Sequence, residues 1–73
     1  MNWKHTYLKP NKNGFFQWCG DLPDYDVPLL VYADGYFHID TFIYGDGEAE
    51  LEESFANDFY WCELEVPDTG NGG

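Results

Sequence analysis

Apolar and polar residues alternate in short runs along this chain, and each run is closed by a turn dipeptide or a proline. From Asn2 to Leu8, Trp3, His5 and Tyr7 point one way and Lys4, Thr6 and Leu8 the other, the two-residue period of an edge strand. Pro10 to Gly14 reads as a loop ending in the turn dipeptide Asn13-Gly14, and Phe15 to Cys19 as a second strand closing a first hairpin. Gly20 to Pro28 is a turn region, and Leu29 to Tyr32 is the clearest buried-strand run. Asp34-Gly35 then separates that run from Tyr36 to Tyr44, the strongest short-range hairpin signal in the chain. In the returning strand Phe37, Ile39, Thr41 and Ile43 share one face, and Tyr36, His38, Asp40, Phe42 and Tyr44 the other. Both faces carry large apolar groups, which predicts a central position with partial cover on each side.

Gly45-Asp46-Gly47 breaks this strand. Glu48 to Ala56 holds good helix formers, with Leu51 and Phe55 four apart and Asp46 in place to cap, so one or two helical turns or an ordered loop are expected there. Like charges at Glu48 and Glu52 oppose such a helix. Phe59 to Val66 is the last predicted strand, with Tyr60, Cys62, Leu64 and Val66 inward and Phe59, Trp61, Glu63 and Glu65 outward. Pro67 ends it, and 68–73 reads as a loose tail. The fold class expected is α+β, mainly β: a single domain over 1–67 built on a small antiparallel sheet of about four strands with at most one short helix.

Composition changes this picture in two ways. Fifteen aromatic residues in 73 give a small chain its means of folding, because each buried ring removes roughly 150–250 Å² from water. A chain this short buries only about 60% of its unfolded surface, so those rings matter. Charge is the second change. All three basic side chains, Lys4, Lys9 and Lys12, precede all fourteen acids, and the net charge is −11. No Lys or Arg follows Asp21, so folding gathers uncompensated carboxylates on a small body and self-repulsion opposes compaction. Segregation of the lysines argues against a halophile-type surface, in which acidity spreads along the chain.

The candidate site follows from that imbalance. Asp46, Glu48, Glu50, Glu52, Glu53, Asp58, Glu63 and Glu65 are the carboxylates expected to meet a basic partner, with Trp61 as a desolvated aromatic anchor. On a strand, Glu63 and Glu65 lie about 6.8 Å apart on one face. On a helix, Glu48 and Glu52 lie about 5–6 Å apart. These spacings are of the order of successive phosphates, so the carboxylates suit Arg and Lys sites that otherwise hold nucleic acid. Phe59 and Trp61 on the same expected face suit a stacked Arg. A solvated acidic face without a ligand is the plain alternative.

Other chemistries have less behind them. Asp21-x-x-Asp24-x-Asp26 and Asp46-Gly47-Glu48-Ala49-Glu50 offer oxygen ligands, but neither matches the calcium-loop pattern, and no metal or cofactor is expected. His5, His38, Ser54 and the two cysteines lack any catalytic signature, so no enzyme activity is expected. Cys19 and Cys62, each preceded by Trp, read as reduced, buried thiols rather than a disulfide. Neither a spanning apolar run nor a signal peptide is seen, which points to the cytoplasm, and the acidity disfavours direct contact with nucleic acid or anionic lipid.

Trp18…Leu22-Pro23-x-x-x-Val27-Pro28-Leu29-Leu30-Val31-Tyr32 followed by Trp61-x-x-Leu64-x-x-Pro67 resembles a small domain family of unknown function common in phages and prophages. The spacing from Trp18 to Leu22 is tighter than that family's. The resemblance implies a compact, mainly antiparallel fold and a mobile-element origin, which makes the expected cytoplasm that of a host bacterial cell, and it supplies no active site. In size and charge the chain also resembles phage-encoded inhibitors of bacterial defence, the anti-CRISPR and anti-restriction proteins that act as DNA mimics. That likeness implies a non-enzymatic inhibitor of a basic nucleic-acid-binding complex, such as a CRISPR effector or restriction enzyme. An interaction module that binds through an aromatic surface is the alternative, and a homodimer through edge strands stays open.

Overall fold

Two Asp-Gly dipeptides turn the middle of the chain back on itself. Asp34 and Gly35 have φ of 53° and 89°, and Asp46 and Gly47 have 53° and 80°. Positive φ at both central residues is the type I′ geometry, whose twist matches that of flanking strands. In the computed structural model, which describes residues 2–65, the chain forms six strands: β1 Lys4–Pro10, β2 Phe16–Gly20, β3 Pro28–Ala33, β4 Tyr36–Gly45, β5 Glu48–Leu51 and β6 Asp58–Glu63. They make one antiparallel sheet in the order β2-β1-β6-β3-β4-β5, curled into a half-barrel. No helix forms among the described residues, so none is long and apolar enough to cross a membrane. The expected strand end at Val66 and Pro67 and the expected tail at 68–73 lie outside the described residues.

Mainly β and antiparallel is what the alternation predicts, as are the β1–β2 and β3–β4 hairpins. Other expectations are corrected. The sheet has six strands rather than four. Glu48 to Ala56 is not helical: the Asp46-Gly47 turn sends Glu48–Leu51 back along β4 as a strand, pairing Leu51 with Phe42. Strand β1 is not an edge, because β6 pairs with its other side. The facing of β6 is inverted. Phe59 and Trp61 are buried, Trp61 only 2% exposed, while Tyr60 is on the outside.

The reason for that inversion is a polar one. Trp61 Nε1–H donates to Thr6 Oγ1 at 2.8 Å and to the Asp21 carbonyl at 2.9 Å, and Thr6 donates to the same carbonyl. An indole whose N–H is satisfied can be buried at no polar cost. With Trp61 inside, the concave face of the half-barrel holds Leu29, Val31, Ala33, Phe42, Leu51, Ala56 and Phe59. Trp18 packs edge-on against Phe42 and Phe59 at 5.4 and 5.9 Å between centroids. Asp40 lies among them, fully buried. The convex face carries no second layer among the described residues: Phe37 and Ile39 are about 60% exposed, so the two-sided cover expected of β4 is absent there.

Candidate interaction surfaces

Strand register decides where each carboxylate goes. Strand β6 ends at Glu63 opposite Leu29, and β3 begins there, at Pro28. Strand β4 runs past that level, since Thr41 pairs with Pro28 and Gly45 lies further on. The turn at Asp46, the start of β5 and the loop before β3 therefore share one end of the sheet with the last residues of β6. That end collects Asp24, Asp26, Asp46, Glu48, Glu50, Glu63 and Glu65. Glu52 and Glu53 follow β5 in a turn, and Asp58 sits at the opposite end of β6, paired with Tyr7 and 2.6 Å from His5 Nε2.

The lysines obey the same register. Lys9 lies beyond the Tyr7–Asp58 pair and Lys12 in the β1–β2 loop, both far along β1 from Glu63, while across the β2–β5 seam Leu8 and Trp18 share a cleft with Glu48, Ala49 and Glu50. Lys4 is near that end, and its Nζ lies 4.9 Å from the Trp61 ring centroid. Among the described residues the carboxylate ion-pair contacts are made by His5 and His38, not by lysine. Asp34, in the β3–β4 turn, and Asp58 lie at the same end of the sheet as Lys9, so the separation of charge along the molecule is partial.

The expected site is partly assembled by this arrangement. Asp46, Glu48, Glu50, Glu63 and Glu65 come to one end, Glu52 and Glu53 border it, and Asp58 does not join them. Trp61 is withdrawn into the core, where it cannot serve as a surface anchor. With the helix gone, the helical spacing of Glu48 and Glu52 is replaced by the strand spacing of Glu48 and Glu50, about 6.8 Å on one side of β5.

A row of rings crosses the convex face in exact cross-strand register: His5 opposite Tyr60, Tyr60 opposite Tyr32, Tyr32 opposite Phe37. His5 stacks on Tyr60 at 4.4 Å, Tyr32 meets Phe37 at 4.8 Å, and Trp3 reaches Phe37 at 5.8 Å. The second aromatic surface is a cleft of about 490 Å³ where the two sheet edges, β2 and β5, approach one another. Trp18 Nε1–H spans this seam to the Ala49 carbonyl at 2.8 Å. Neither surface follows from alternation alone, since both depend on which strands become neighbours.

Asp40 is the other group that sequence reading passed over as a site. One carboxylate oxygen accepts from Thr41 N–H at 2.8 Å and Glu53 N–H at 2.9 Å; the other accepts from Ser54 N–H at 3.0 Å and His38 Nε2 at 2.9 Å. Burial alone pushes this carboxyl up, but the bonds from Glu53, His38, Thr41 and Ser54 outweigh it and hold it below the ordinary 3.8. His38 Nδ1 is buried without a partner. The arrangement ties the turn after β5 to β4, a structural task. Among the described residues no three His, Cys, Asp or Glu side chains converge as a metal-ligand set. Cys19 and Cys62 are free thiols, each half-buried.

Comparison with protein-family models, curated proteins and solved structures finds no match. The phage-family resemblance rests on its short motifs alone.

Proposed function

We propose that this chain is a non-enzymatic binding protein whose acidic end occupies a basic, nucleic-acid-binding groove on a partner and so inhibits it. The observation that supports this reading is the register, which gathers seven carboxylates toward one end of the sheet, and none of them is ion-paired with a lysine among the described residues. Carboxylates without local counterions project a field that steers a basic surface into encounter and replaces phosphates at its Arg and Lys side chains. A phage-encoded inhibitor acting in the bacterial cytoplasm on a CRISPR effector or restriction enzyme is the specific form of this proposal.

The test is a pull-down from bacterial lysate with the tagged chain, followed by a DNA- or RNA-binding titration of whatever is recovered. Recovery of a nucleic-acid-binding protein whose DNA affinity falls as the chain is added, with the effect weakening at raised salt, supports the reading. Recovery of no such protein, or DNA binding unchanged by a saturating amount of the chain, defeats it.

One observation favours a second reading. The His5–Tyr60–Tyr32–Phe37 row lies open on the convex face and has the composition of a binding hot spot. In that reading the rings carry the affinity and the acidity keeps the chain dispersed. Comparing Glu63→Lys with Phe37→Ala on the recovered complex separates the two, since each reading predicts loss with only one of them.

A further inference from the structure

The seam between β2 and β5 has features that the acidic end does not explain. Its walls are rings: Phe16, Trp18, Tyr25, Tyr44 and Phe55 line the cleft. Phe16, Tyr44 and Phe55 are 68%, 62% and 61% exposed, so they contribute little to the core. Glu48, Ala49 and Glu50 of the β5 edge form one border, and neither Lys nor Arg is among the lining residues. Phe55 has φ 56°, a left-handed backbone that strains a bulky side chain, and an exposed ring recovers nothing by burial.

Backbone groups are also open along the seam. Hydrogen-bonded pairs alternate along an antiparallel ladder. Asn11 N–H bonds the Phe15 carbonyl, so Gln17 and Cys19 bond β1, and Phe16 and Trp18 turn their N–H and C=O to the free edge. Glu52 N–H bonds the Thr41 carbonyl, so Ala49 and Leu51 do the same on β5. The Ala49 carbonyl is taken by Trp18 and the Leu51 carbonyl by Phe55 N–H. From Phe16 to Gly20, β2 carries no charge and no proline, the usual guards of an edge.

We propose that this seam binds an extended, arginine-bearing segment of a protein partner. The segment adds as a strand to the β2 edge at Phe16 and Trp18. Its guanidinium stacks on the exposed rings of Tyr44 and Phe55 and pairs with the carboxylates of Glu48 or Glu50, a combination that planar guanidinium makes better than ammonium. Charge selects this occupant: a second copy brings another net −11 to the same place, whereas a basic segment is attracted by it. The inference rests on the reading of the chain as a module for a basic partner, and it names the segment and the place.

The experiment is calorimetric titration of the full chain with two short capped peptides, one alternating arginine and threonine, the other lysine and threonine, at low and physiological salt. The arginine peptide is expected to bind one to one and more tightly than the lysine peptide. Tyr44→Ala and Phe55→Gly should each weaken it roughly twofold to thirtyfold, and Tyr36→Ala, at the far hairpin, should leave it unchanged. Phe55→Gly should melt at or above the wild-type temperature, because glycine accepts the left-handed backbone, so weaker binding there cannot come from lost folding. Equal binding of both peptides, insensitive to Tyr44 and Phe55 but weakened by Glu63→Lys, overturns the seam site and leaves the acidic-end reading standing. No binding of either peptide at low salt overturns both. A peptide-free dimer that Phe55→Gly dissociates makes a second copy the occupant and also overturns the proposal.

Discussion

Asp40 is the most heavily bonded side chain in the described structure, and replacing it tests the account of the β4–β5 unit. In Asp40→Ala the N–H groups of Thr41, Glu53 and Ser54 and the His38 Nε2 lose their acceptor together. Losing a charged hydrogen-bond partner costs about 1.5–3 kcal/mol for each bond taken singly. Water entry and relaxation make the four non-additive, so about 3–5 kcal/mol is expected, the range for breaking a buried charged pair. A domain of this size has only about 4–11 kcal/mol in total at ordinary stability per residue. Asp40→Ala should therefore lose between roughly a quarter and all of the fold's stability. Asp40→Asn is the informative variant. Its amide oxygen still accepts from Thr41 and Glu53, but its NH₂ now faces the Ser54 N–H, and the expected cost is about 1–3 kcal/mol. The pH dependence follows from the lowered carboxyl. A carboxyl held below its unfolded value near 3.8 contributes stability that is fully present above that value and is lost as pH falls through the folded one. The stability difference between wild type and Asp40→Asn should thus shrink as pH falls below about 4. Taking the difference cancels the other carboxylates, whose protonation relieves repulsion in both proteins alike. Urea unfolding followed by far-ultraviolet circular dichroism at several pH values measures it. An Asp40→Asn protein within about 0.5 kcal/mol of wild type at pH 7, or a difference that does not change on acidification, refutes the reasoning.

Trp61→Phe keeps the ring in the core but deprives Thr6 Oγ1 and the Asp21 carbonyl of their indole donor, and should cost about 1–3 kcal/mol in chemical denaturation; an unchanged midpoint would mean that solvent already serves those groups. Gly20→Ala should destabilise more than any exposed substitution, because a Cβ there meets the His5 carbonyl oxygen and the residue has φ 89°; thermal melting checks it, and a melting temperature equal to wild type contradicts the close approach. Raising sodium chloride from about 10 mM to 1 M shortens the Debye length from about 30 to 3 Å and should raise the melting temperature of a chain with net charge −11; no rise would show that the register has already spread the carboxylates beyond mutual reach.

What could be read from the sequence was whatever depended on neighbours along the chain. The Asp34-Gly35 hairpin and the β1–β2 hairpin were legible because a turn dipeptide and two flanking runs suffice to specify each. Strand β5 carried the same signal, since Asp46-Gly47 repeats the Asp34-Gly35 turn, but Glu, Ala and Leu favour a helix intrinsically and pairing with β4 overrode that preference. The facing of β6 was undecided by its own residues, because apolar groups fall on both sides of it. Glu63 and Glu65 suggested that Trp61 looked outward, yet Glu63 is solvated by lying at the end of the sheet, not by its side. The donor pair that admits Trp61 to the core comes from Thr6 and Asp21, far away in sequence. Asp40 was seen to share a face with Phe42, but the N–H groups that make its burial affordable arrive only when β5 turns back toward it.

The arrangement of acids is itself a consequence of making everything from strands. A half-barrel of short strands has a small concave interior that rings must fill, and a carboxylate entering it requires donors, which the structure supplies once, at Asp40. The other described acids are left with loops, turns, the edge strand β5 and the two ends of β6. Turns favour them for a separate reason: Asp tolerates the left-handed backbone that tight hairpins demand, as at Asp34 and Asp46. Alternating turns would distribute such residues equally between the two ends of a meander. Here the balance is broken because the β1–β2 loop is built from Asn11, Lys12, Asn13 and Gly14 instead, with the Asn11 side chain accepting from the Asn13 and Phe15 N–H groups. Asparagine performs the same turn chemistry without charge. The polarity of the molecule therefore comes less from clustering acids than from excluding them at one hairpin, and restoring them there separates the two effects. Asn11→Asp and Asn13→Asp keep the turn geometry while adding negative charge at the end that holds Lys9 and Lys12. If electrostatic steering toward a basic partner depends on the gradient between ends, the double variant should slow association despite a more negative net charge. Stopped-flow association with the recovered partner measures it, and faster association would show that total charge, rather than its direction, is what the partner senses.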